Sequence, residues 1–401
     1  MKILIIHNHY QIRGGEDAVF ENECALLENG GHSVVRYEVS NDEIPAGFAK
    51  CLTFFKTIWN AQSARGIREL IRREKPEIAH FHNTLHLVSP AAYWACKAEG
   101  VPVVQTLHNF RLCCLNVCLM TRGAICEDCV GKNPWRGVRK KCYRDSYAQS
   151  LAIWAMLTFH RLIGTYRNKI DAYIALTEFG KQKMIEAGLP AHKIHIKSNV
   201  CPAGADKITE SSASESANET ERATILFVGR LSPEKGLRVL LDAWRLCQDR
   251  LPRNARLIIA GAGPDRAALE PAAPPSVSFA GRLTQSQVLE LMRGASAIAC
   301  PSIWYETFGM SILEASSCAL PAIASNLGAF AELIEDNKTG YLFPAGDAAA
   351  LSDALTRIFK NPVQARAAGE AARRAFLYSE SIPSRNLARL LEIYETARKQ
   401  R

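Results

Sequence analysis

Two carboxylates, Glu306 and Glu314, lie eight positions apart with Gly309 between them. The apolar run at 297–300 predicts a buried strand before this pair, and 310–318 predicts a helix after it. Glu306 is then expected at a strand-to-helix junction, where backbone amides can face an anion. Eight helical residues rise about 12 Å, which suits two parts of one extended ligand, such as a sugar and a ribose, better than a paired acid and base. The alternative is a solvated helix residue and an ordinary acidic loop residue.

A second pattern supplies two cations. Arg230 and Lys235 follow an apolar run at 224–228 and Gly229, and a helical pattern starts near Leu237. A guanidinium can donate two parallel hydrogen bonds to phosphate oxygens, whereas an ammonium acts as a point charge. The two cations therefore fit a pyrophosphate that joins a nucleoside to a sugar. Two solvated loop cations are the alternative.

The elements that must position these groups repeat in both halves of the chain. With 401 residues, of which 48% are hydrophobic, the chain is expected to form two domains. Apolar runs alternate with helical stretches, which is the pattern of open doubly wound α/β domains with parallel sheets. The predicted strands are 2–6, 33–37, 77–81, 101–107, 172–176 and 194–197, then 224–228, 256–260, 277–280, 297–300, 321–325 and 341–343.

The ordered set of motifs resembles the family 4 retaining glycosyltransferases of the GT-B fold, and the resemblance covers nearly the whole chain. Beside the two cations and the two glutamates, the segments 258–264, 277–282 and 339–343 agree in order. The resemblance implies two doubly wound Rossmann-like α/β domains that face each other across a cleft. It also implies transfer of a sugar, with retention of anomeric configuration, from a nucleotide-diphosphate-sugar such as a UDP- or GDP-sugar.

The same resemblance gives roles to individual residues. Arg230 and Lys235 would hold the diphosphate and stabilise the charge that develops on it. Glu314 would bind the ribose hydroxyls and Glu306 the sugar hydroxyls. No Asp-x-Asp motif is present, so metal-independent catalysis is expected. The remaining donor-site residues are predicted to be Gly14, Gly15, Gly229, Gly261, Gly263, Arg282, Thr307, Phe308 and Gly309.

His108 follows the predicted strand 101–107, at a carboxyl end that would face the cleft. The resembled family has a histidine at this point, which implies that His108 hydrogen-bonds the sugar's primary hydroxyl and shapes the charge near the anomeric carbon. A structural histidine is the alternative. Gly14 and Gly15 precede a helical pattern and match the family's glycine loop beside the donor phosphates. A simple turn would also explain them.

The resemblance also predicts how the chain is divided. Residues 1–202 would form the acceptor-side domain, with a cysteine-rich insertion at 111–144, and 203–222 would form a linker rich in Ser, Glu, Ala and Thr. Residues 223–375 would bind the nucleotide-sugar. The last segment, 376–401, would carry a helix that packs back toward the first domain.

Six cysteines fall between positions 113 and 142. The knuckle Cys126-Glu-Asp-Cys129, with Cys114 and Cys142, has the content of a four-thiolate zinc site. Reduced core thiols or a redox pair are the alternatives. A subset of the resembled family has a similar insertion, but with proline after the first cysteine, where this chain has Leu115. Cys113 and Cys118 are therefore substitute first ligands.

Charge is concentrated in the first half. Residues 1–202 contain 26 Lys and Arg against 18 Asp and Glu, which is +8 of the total formal charge of +9. This excess favours an anionic acceptor or anionic membrane headgroups, although it also serves solubility alone. The apolar run 151–159 is too short to span a bilayer, so any membrane contact would be peripheral. A buried helix is its more ordinary use.

The expected function is therefore transfer of a sugar to a hydroxyl of a glycan or lipid-linked glycan, in cell-surface polysaccharide synthesis. A start without a secretory signal predicts a cytoplasmic protein, which could lie peripherally at the inner face of the membrane. Nucleic acid is not an expected partner. Two rival functions stay open: a GT-B-like nucleotide-sugar epimerase, and a zinc-dependent nucleic-acid-binding protein built around the basic insertion.

Overall fold

The computed structural model describes residues 1–11, 14–44, 50–201 and 223–400, so the predicted linker at 203–222 lies outside the described residues. The chain divides into two compact units. The first contains Met1–Thr121, Cys126–Val200 and Pro383–Arg401, and the second contains Arg122–Ile125 and Cys201–Ile382.

The first unit is built on a six-stranded parallel sheet with the order β2-β1-β3-β4-β7-β8. Its inner strands are buried along their length, because helices cover both faces of a parallel sheet. The strands are β1 (Lys2–His9), β2 (Ser33–Ser40), β3 (Ile78–Phe81), β4 (Val103–Leu107), β7 (Ala172–Ala175) and β8 (Ile194–Ile196), with a separate pair β5 (Met120–Thr121) and β6 (Ala124–Ile125). The helices are α1 (Gly15–Asn29), α2 (Lys50–Ile58), α3 (Ala61–Glu74), α4 (Ala91–Ala98), α5 (Trp135–Arg139), α6 (Tyr147–Leu162), α7 (Thr165–Asn168) and α8 (Glu178–Glu186).

The last helix of the chain, α16 (Pro383–Lys399), belongs to the first unit. Its apolar stripe, which includes Leu390, Ile393 and Tyr394, joins one buried cluster with residues of β1, β3, β4 and β7. These side chains follow the i, i+3, i+4 spacing of an amphipathic helix. The carboxyl end of the chain therefore completes the core of the unit that its amino end begins.

The second unit has a six-stranded parallel sheet with the order β11-β10-β9-β12-β13-β14, which is the strand order of the dinucleotide-binding fold. Both units are thus doubly wound α/β sheets, as predicted. The strands are β9 (Thr224–Val228), β10 (Arg256–Ala260), β11 (Val277–Gly281), β12 (Ala297–Cys300), β13 (Ala322–Ser325) and β14 (Gly340–Phe343). The helices are α9 (Leu237–Cys247), α10 (Arg266–Leu269), α11 (Gln285–Gly294), α12 (Met310–Ser317), α13 (Ala329–Leu333), α14 (Ala348–Lys360) and α15 (Pro362–Tyr378).

Candidate functional site

The second sheet reverses its strand order between β9 and β12. Ligands of open α/β sheets bind outside the carboxyl ends of the strands at such a reversal. The loop that carries Lys235 follows β9, and the loop that carries Glu306 follows β12. At the end of β12, burial raises the pKa of the Cys300 thiol to about 12, and the charges of Glu306, Lys235 and Glu314 all act on it. The structure therefore brings these three predicted residues into one region.

Lys235 and Glu306 form a direct ion pair. The Lys235 ammonium donates to Glu306 Oε1 at 2.7 Å, and the Ser302 hydroxyl donates to the same oxygen at 2.6 Å. The ammonium also lies 5.2 Å from the centre of the Trp304 ring. Burial by itself would raise the pKa of the Glu306 carboxyl, but Lys235 and Ser302 hold that pKa below its ordinary value. Glu306 is therefore a buried, ionised hydrogen-bond acceptor at neutral pH.

A glycine allows the loops after β9 and β12 to approach each other closely. Gly236 has φ of 69°, and a Cβ at this position would lie 1.9 Å from the carbonyl oxygen of Pro301, just after β12. Next to it, the Ile303 amide donates to the Glu234 carbonyl at 2.9 Å. Only a residue without a side chain allows this approach. The position of Lys235 relative to Glu306 therefore depends on Gly236.

Glu314 is a buried carboxyl on α12 with a different electrostatic environment. Gln285 Nε2 donates to its Oε1 at 3.1 Å. Burial raises the pKa of Glu314 to about 7, and the bond from Gln285 offsets only part of that effect. Near neutral pH the group is therefore poised between its protonated and ionised forms.

The residues that open α12 lie at the same strand reversal. Gly309 has φ of 131°, and a Cβ there would lie 2.9 Å from Cε1 of Phe330. The side chain of Phe308 is buried, so only its backbone can face a ligand, whereas Thr307 is half-buried. The first amides of a helix favour an anion at its amino end.

The glycines after β10 have a clear structural use. A Cβ at Gly261 would lie 1.9 Å from the Gly229 carbonyl oxygen, and a Cβ at Gly263 would lie 2.2 Å from the Leu231 carbonyl oxygen. They let the loops after β9 and β10 touch backbone to backbone, and their predicted role in donor binding stays a prediction. Arg230 is exposed beside this contact.

In strand order, Arg282 is farther from the reversal between β9 and β12 than the other predicted donor-site residues of this sheet. It is exposed and follows β11, the edge strand. Two strand spacings, or roughly 10 Å, separate β11 from β9. Arg282 therefore lies at the border of the region formed by Lys235, Glu306 and Glu314.

In the first unit, His108 lies at the carboxyl end of β4, as predicted from the sequence. Its Nε2 is 2.9 Å from Nδ1 of His82, and the two rings stack with centres 5.0 Å apart. Desolvation, followed by the proximity of His82, lowers the pKa of His108 well below its usual range. His108 is therefore neutral at pH 7.

A buried charge network lies behind this histidine pair. Glu23 on α1 has one carboxylate oxygen 3.0 Å from the Lys197 ammonium, and the other 3.0 Å from His80 Nδ1 and 3.3 Å from His82 Nε2. Burial would raise the pKa of Glu23, but Lys197 and His80 keep it well below its ordinary value. An ionised Glu23 thus lies against His82, which in turn contacts His108.

Sequence reasoning missed Glu23 and Lys197. A signal was present for the first of them, because Glu23 falls within the apolar stripe of α1 that also contains Phe20, Cys24 and Leu27. A charged residue in such a stripe requires a buried partner. That the partner is Lys197, 174 positions away, is visible only in the folded chain.

Gly14 and Gly15 open α1 and are exposed, and no atom of the described residues outside their chain neighbours and the α1 backbone lies within 4 Å of a Cβ built at either position. The Gly14 amide donates to Asp17 Oδ2 at 2.8 Å, and Asp17 Oδ1 lies 2.8 Å from His7 Nε2. Burial would raise the pKa of Asp17, but the bonds from His7 and Gly14 lower it. A carboxylate therefore already accepts from this helix start, and a phosphate at the predicted glycine loop would be a second anion there.

Glu16 is a further buried carboxyl beside the glycine pair, and sequence reasoning did not single it out. The Tyr10 hydroxyl donates to Glu16 Oε2 at 2.9 Å, and Asn109 Nδ2 donates to the same oxygen at 3.3 Å. Burial raises the pKa of Glu16 to about 7. Because Asn109 directly follows His108, the carboxyl lies next to the predicted sugar-contacting residue.

The predicted zinc ligands come near one another without assembling into a ligand set. Burial raises the pKa of Cys129 to about 11, and Cys114, Cys142 and Cys126 act in the same direction. In the part of the chain that the structure describes, however, the groups of three ligand atoms within 4.8 Å of one another are formed by histidines and carboxylates, without a cysteine. The Cys114 thiol instead donates to Asn116 Oδ1 at 2.9 Å. The zinc assignment stays a prediction from the sequence.

The apolar run at 151–159 forms the middle of α6 and is only partly buried, since Ile153 and Leu157 are fully covered while Phe159 is 40% exposed. Over residues 1–11, 14–44, 50–201 and 223–400, no helix has the length and apolar character needed to cross a bilayer.

Comparison with known proteins identifies the family. A model described as "Glycosyltransferase Family 4" matches residues 22–200, and one described as "Glycosyl transferases group 1" matches residues 208–375. The phosphatidyl-myo-inositol mannosyltransferase of Mycobacterium leprae is 30% identical over 278 residues, which are 62% of this chain and 71% of that protein. Enzymes of the same name from other mycobacteria match over 60% to 64% of their length, so the chain spans about two thirds of these curated relatives. The chain belongs to the family 4 glycosyltransferases.

Solved structures agree with the predicted fold class. Sucrose-phosphate synthase of Thermosynechococcus elongatus superposes with a TM-score of 0.69 at 18% identity, over 98% of each chain. Anabaena HepE in complex with UDP-glucose superposes with a TM-score of 0.66 at 16% identity, over 98% of this chain and 100% of that one. At such identities the likeness concerns the fold, and the prediction of two Rossmann-like domains of the GT-B type is confirmed.

Proposed function

We propose that this protein is a retaining glycosyltransferase that transfers a sugar from a nucleotide-diphosphate-sugar to a hydroxyl of a glycan or lipid-linked glycan. The observation that carries the proposal is the partly buried Lys235–Glu306 ion pair at the strand reversal of the second sheet. A cation and an ionised acceptor held 2.7 Å apart suit the junction of a diphosphate and a sugar, where negative charge meets hydroxyl donors.

Each residue has a role that its chemistry supports. Lys235 has three N–H donors, of which the bond to Glu306 uses one, so others can reach a diphosphate oxygen. Arg230, exposed on the same loop, supplies a second cation, and both would stabilise the charge on the departing nucleoside diphosphate. Glu306 would accept from the sugar hydroxyls, and Glu314 from the ribose hydroxyls.

Similar proteins support the class of donor. HepE binds UDP-glucose and the mycobacterial relatives are mannosyltransferases, which supports a UDP- or GDP-hexose. We expect transfer without an added divalent cation, with the anomeric configuration of the donor kept in the product. His108, neutral and oriented through His82, would contact the primary hydroxyl of the sugar.

The acceptor belongs to the first unit in this proposal. The basic balance of residues 1–202 favours a phosphate-bearing acceptor, such as a lipid-linked glycan in cell-surface polysaccharide synthesis, and a cytoplasmic location at the inner membrane surface. Nucleic acid is not proposed as a partner.

Transfer from UDP- and GDP-hexoses is the decisive test, with the product's anomeric configuration read by NMR. Glu306→Gln and Lys235→Ala should each lower the transfer rate at least 100-fold, whereas Lys338→Ala, which removes an exposed cation of the same unit, should leave it unchanged. Full activity in both site variants would refute the site. An isomerised donor formed without acceptor would indicate an epimerase. RNA or DNA binding that weakens steeply with salt and survives Glu306→Gln would favour the nucleic-acid-binding alternative.

A further inference from the structure

The first unit contains a cavity that the proposed transfer does not use. Its volume is about 410 Å³, and it lies between Leu112 and residues 131–134 of the insertion, the end of α6, α7, and residues 187–189 after α8. This size falls in the ordinary range of small-molecule sites.

The cavity lies at the opposite edge of the sheet from His108. The segment 110–131 runs along α8 from its start to its end: the Phe110 ring is 6.3 Å from the Phe179 ring, and the Lys183 ammonium contacts Glu127 at 3.0 Å. At the far end, Gly131 packs against the carbonyl oxygen of Glu186. Since α8 follows β7, its end lies near the amino-terminal edge of the parallel sheet. Apart from Leu112, the lining therefore lies away from the strand ends that carry the predicted transfer residues.

Cations dominate the charge of this cavity. Lys132, Arg161 and Arg167 line it, and no acidic residue is among the described residues that do so. Arg161 uses two of its five N–H donors on the carbonyl oxygens of Lys132 and Leu112. The nearby carboxylate of Glu186 is paired with Lys183 at 3.0 Å. An anion in the cavity would thus meet three positive charges.

Two lining residues carry buried hydroxyls. Within the described residues, neither Thr158 Oγ1 nor Tyr166 Oη has a hydrogen-bond partner, and Tyr166 is only 4% exposed. A buried hydroxyl without a hydrogen bond destabilises the fold, so such groups usually have a binding or catalytic use. Both can donate to an acceptor oxygen of a ligand in the cavity.

The rim of the cavity is apolar. Leu162 lines it and is 81% exposed, and Phe159 and Ile163 beside it are 40% and 36% exposed. Large apolar side chains grouped next to cations match a ligand with an anionic group and an apolar part.

We propose that this cavity binds a phosphate ester, with the phosphate oxygens held by Lys132, Arg161 and Arg167 and by the hydroxyls of Thr158 and Tyr166. The apolar part of the ligand lies over Leu162. A phospholipid headgroup and a soluble phosphate ester share this chemistry. The site goes beyond the proposed transfer reaction and does not depend on it.

The first test uses sn-glycerol 3-phosphate as a soluble probe and calorimetry on the full chain. Lys132→Ala/Arg167→Ala should weaken binding at least tenfold, and both side chains are exposed, so the fold should survive. Arg139→Ala, which removes an exposed cation of the insertion outside the cavity lining, is the matched control and should bind normally.

Tyr166→Phe separates ligand binding from a structural role. The hydroxyl has no partner among the described residues, so its removal should leave the unfolding temperature of the ligand-free chain unchanged or raised, while it weakens binding. A lower unfolding temperature with normal binding would overturn the proposal.

Vesicle flotation distinguishes the two sources of phosphate. Binding to phosphatidylcholine vesicles with 30% phosphatidylglycerol, but not to pure phosphatidylcholine, lost in Lys132→Ala/Arg167→Ala, would assign the site to a lipid headgroup. Glycerol phosphate binding without vesicle binding would assign it to a soluble ester. Neither kind of binding, or equal binding by the double variant and the wild type, would refute the site. UDP binding, measured alongside, tests the donor site independently.

Discussion

The titration of Glu314 should make the stability of the fold depend on pH. Burial raises the pKa of its carboxyl to about 7 in the folded chain, against an ordinary value of 4.5, and the hydrogen bond from Gln285 offsets only part of that rise. Glu314→Gln replaces it by a neutral group of the same shape that can still accept from Gln285. The substitution therefore removes the ionisation and keeps the packing.

The sign and size follow from linkage. A carboxyl whose pKa is raised on folding stabilises the fold below the unfolded value of 4.5, and that stability is lost as pH rises through 7. Over the range from pH 5 to pH 8 the loss comes to about 2.5 kcal/mol for this group. The variant should therefore gain that much relative to wild type over the same range. Glu16, with its similar pKa, is present in both proteins and cancels in the difference.

Urea unfolding followed by tryptophan fluorescence at pH 5, 6, 7 and 8 measures this difference. Glu290→Gln, an exposed carboxylate on α11, is the matched control and should parallel wild type throughout. UDP affinity is a second readout. If ionised Glu314 accepts from the ribose, wild type should bind UDP about tenfold more tightly at pH 8 than at pH 6, beyond the change that the nucleotide's own phosphate produces in the variant.

Parallel stability curves for wild type and Glu314→Gln across pH 5 to 8 would refute the electrostatic account of this carboxyl. A pH-dependent stability difference without any difference in UDP affinity would instead leave the carboxyl buried and poised but refute its role in nucleotide binding.

Three further predictions concern the framework. Gly236→Ala should lower the unfolding free energy by more than about 2 kcal/mol and weaken UDP binding, since the new Cβ would meet the Pro301 carbonyl oxygen. Urea unfolding measures the first effect, and normal UDP binding by the folded variant would contradict the second. Glu23→Gln should cost about 3–5 kcal/mol because it leaves Lys197 buried without its anion; a stability within 1 kcal/mol of wild type would show that the pair is not buried in solution. If the zinc prediction is right, metal analysis of the purified chain should find one zinc ion that Cys129→Ser loses, and a folded, metal-free wild type would exclude it.

Local patterns in the chain specify the elements and indicate candidate site residues, whose roles stay predictions. The twelve predicted strands are all present. Short apolar runs between helical patterns are typical of strands that are buried on both faces of a parallel sheet. Lys235 and Glu306 were also predicted, since cations and carboxylates just after strands lie where α/β sheets bind ligands.

Which distant residues meet depends on how the whole chain packs. The pairing of Lys235 with Glu306 spans 71 positions, and that of Glu23 with Lys197 spans 174. The adjacency of β9 and β12 sets the first of these meetings, and no local pattern in the chain encodes strand order. The raised pKa of Glu314 likewise arises from burial, which depends on neighbours contributed by other elements. Local periodicity specifies the secondary structure of each segment. The packing of those segments determines which charged side chains interact.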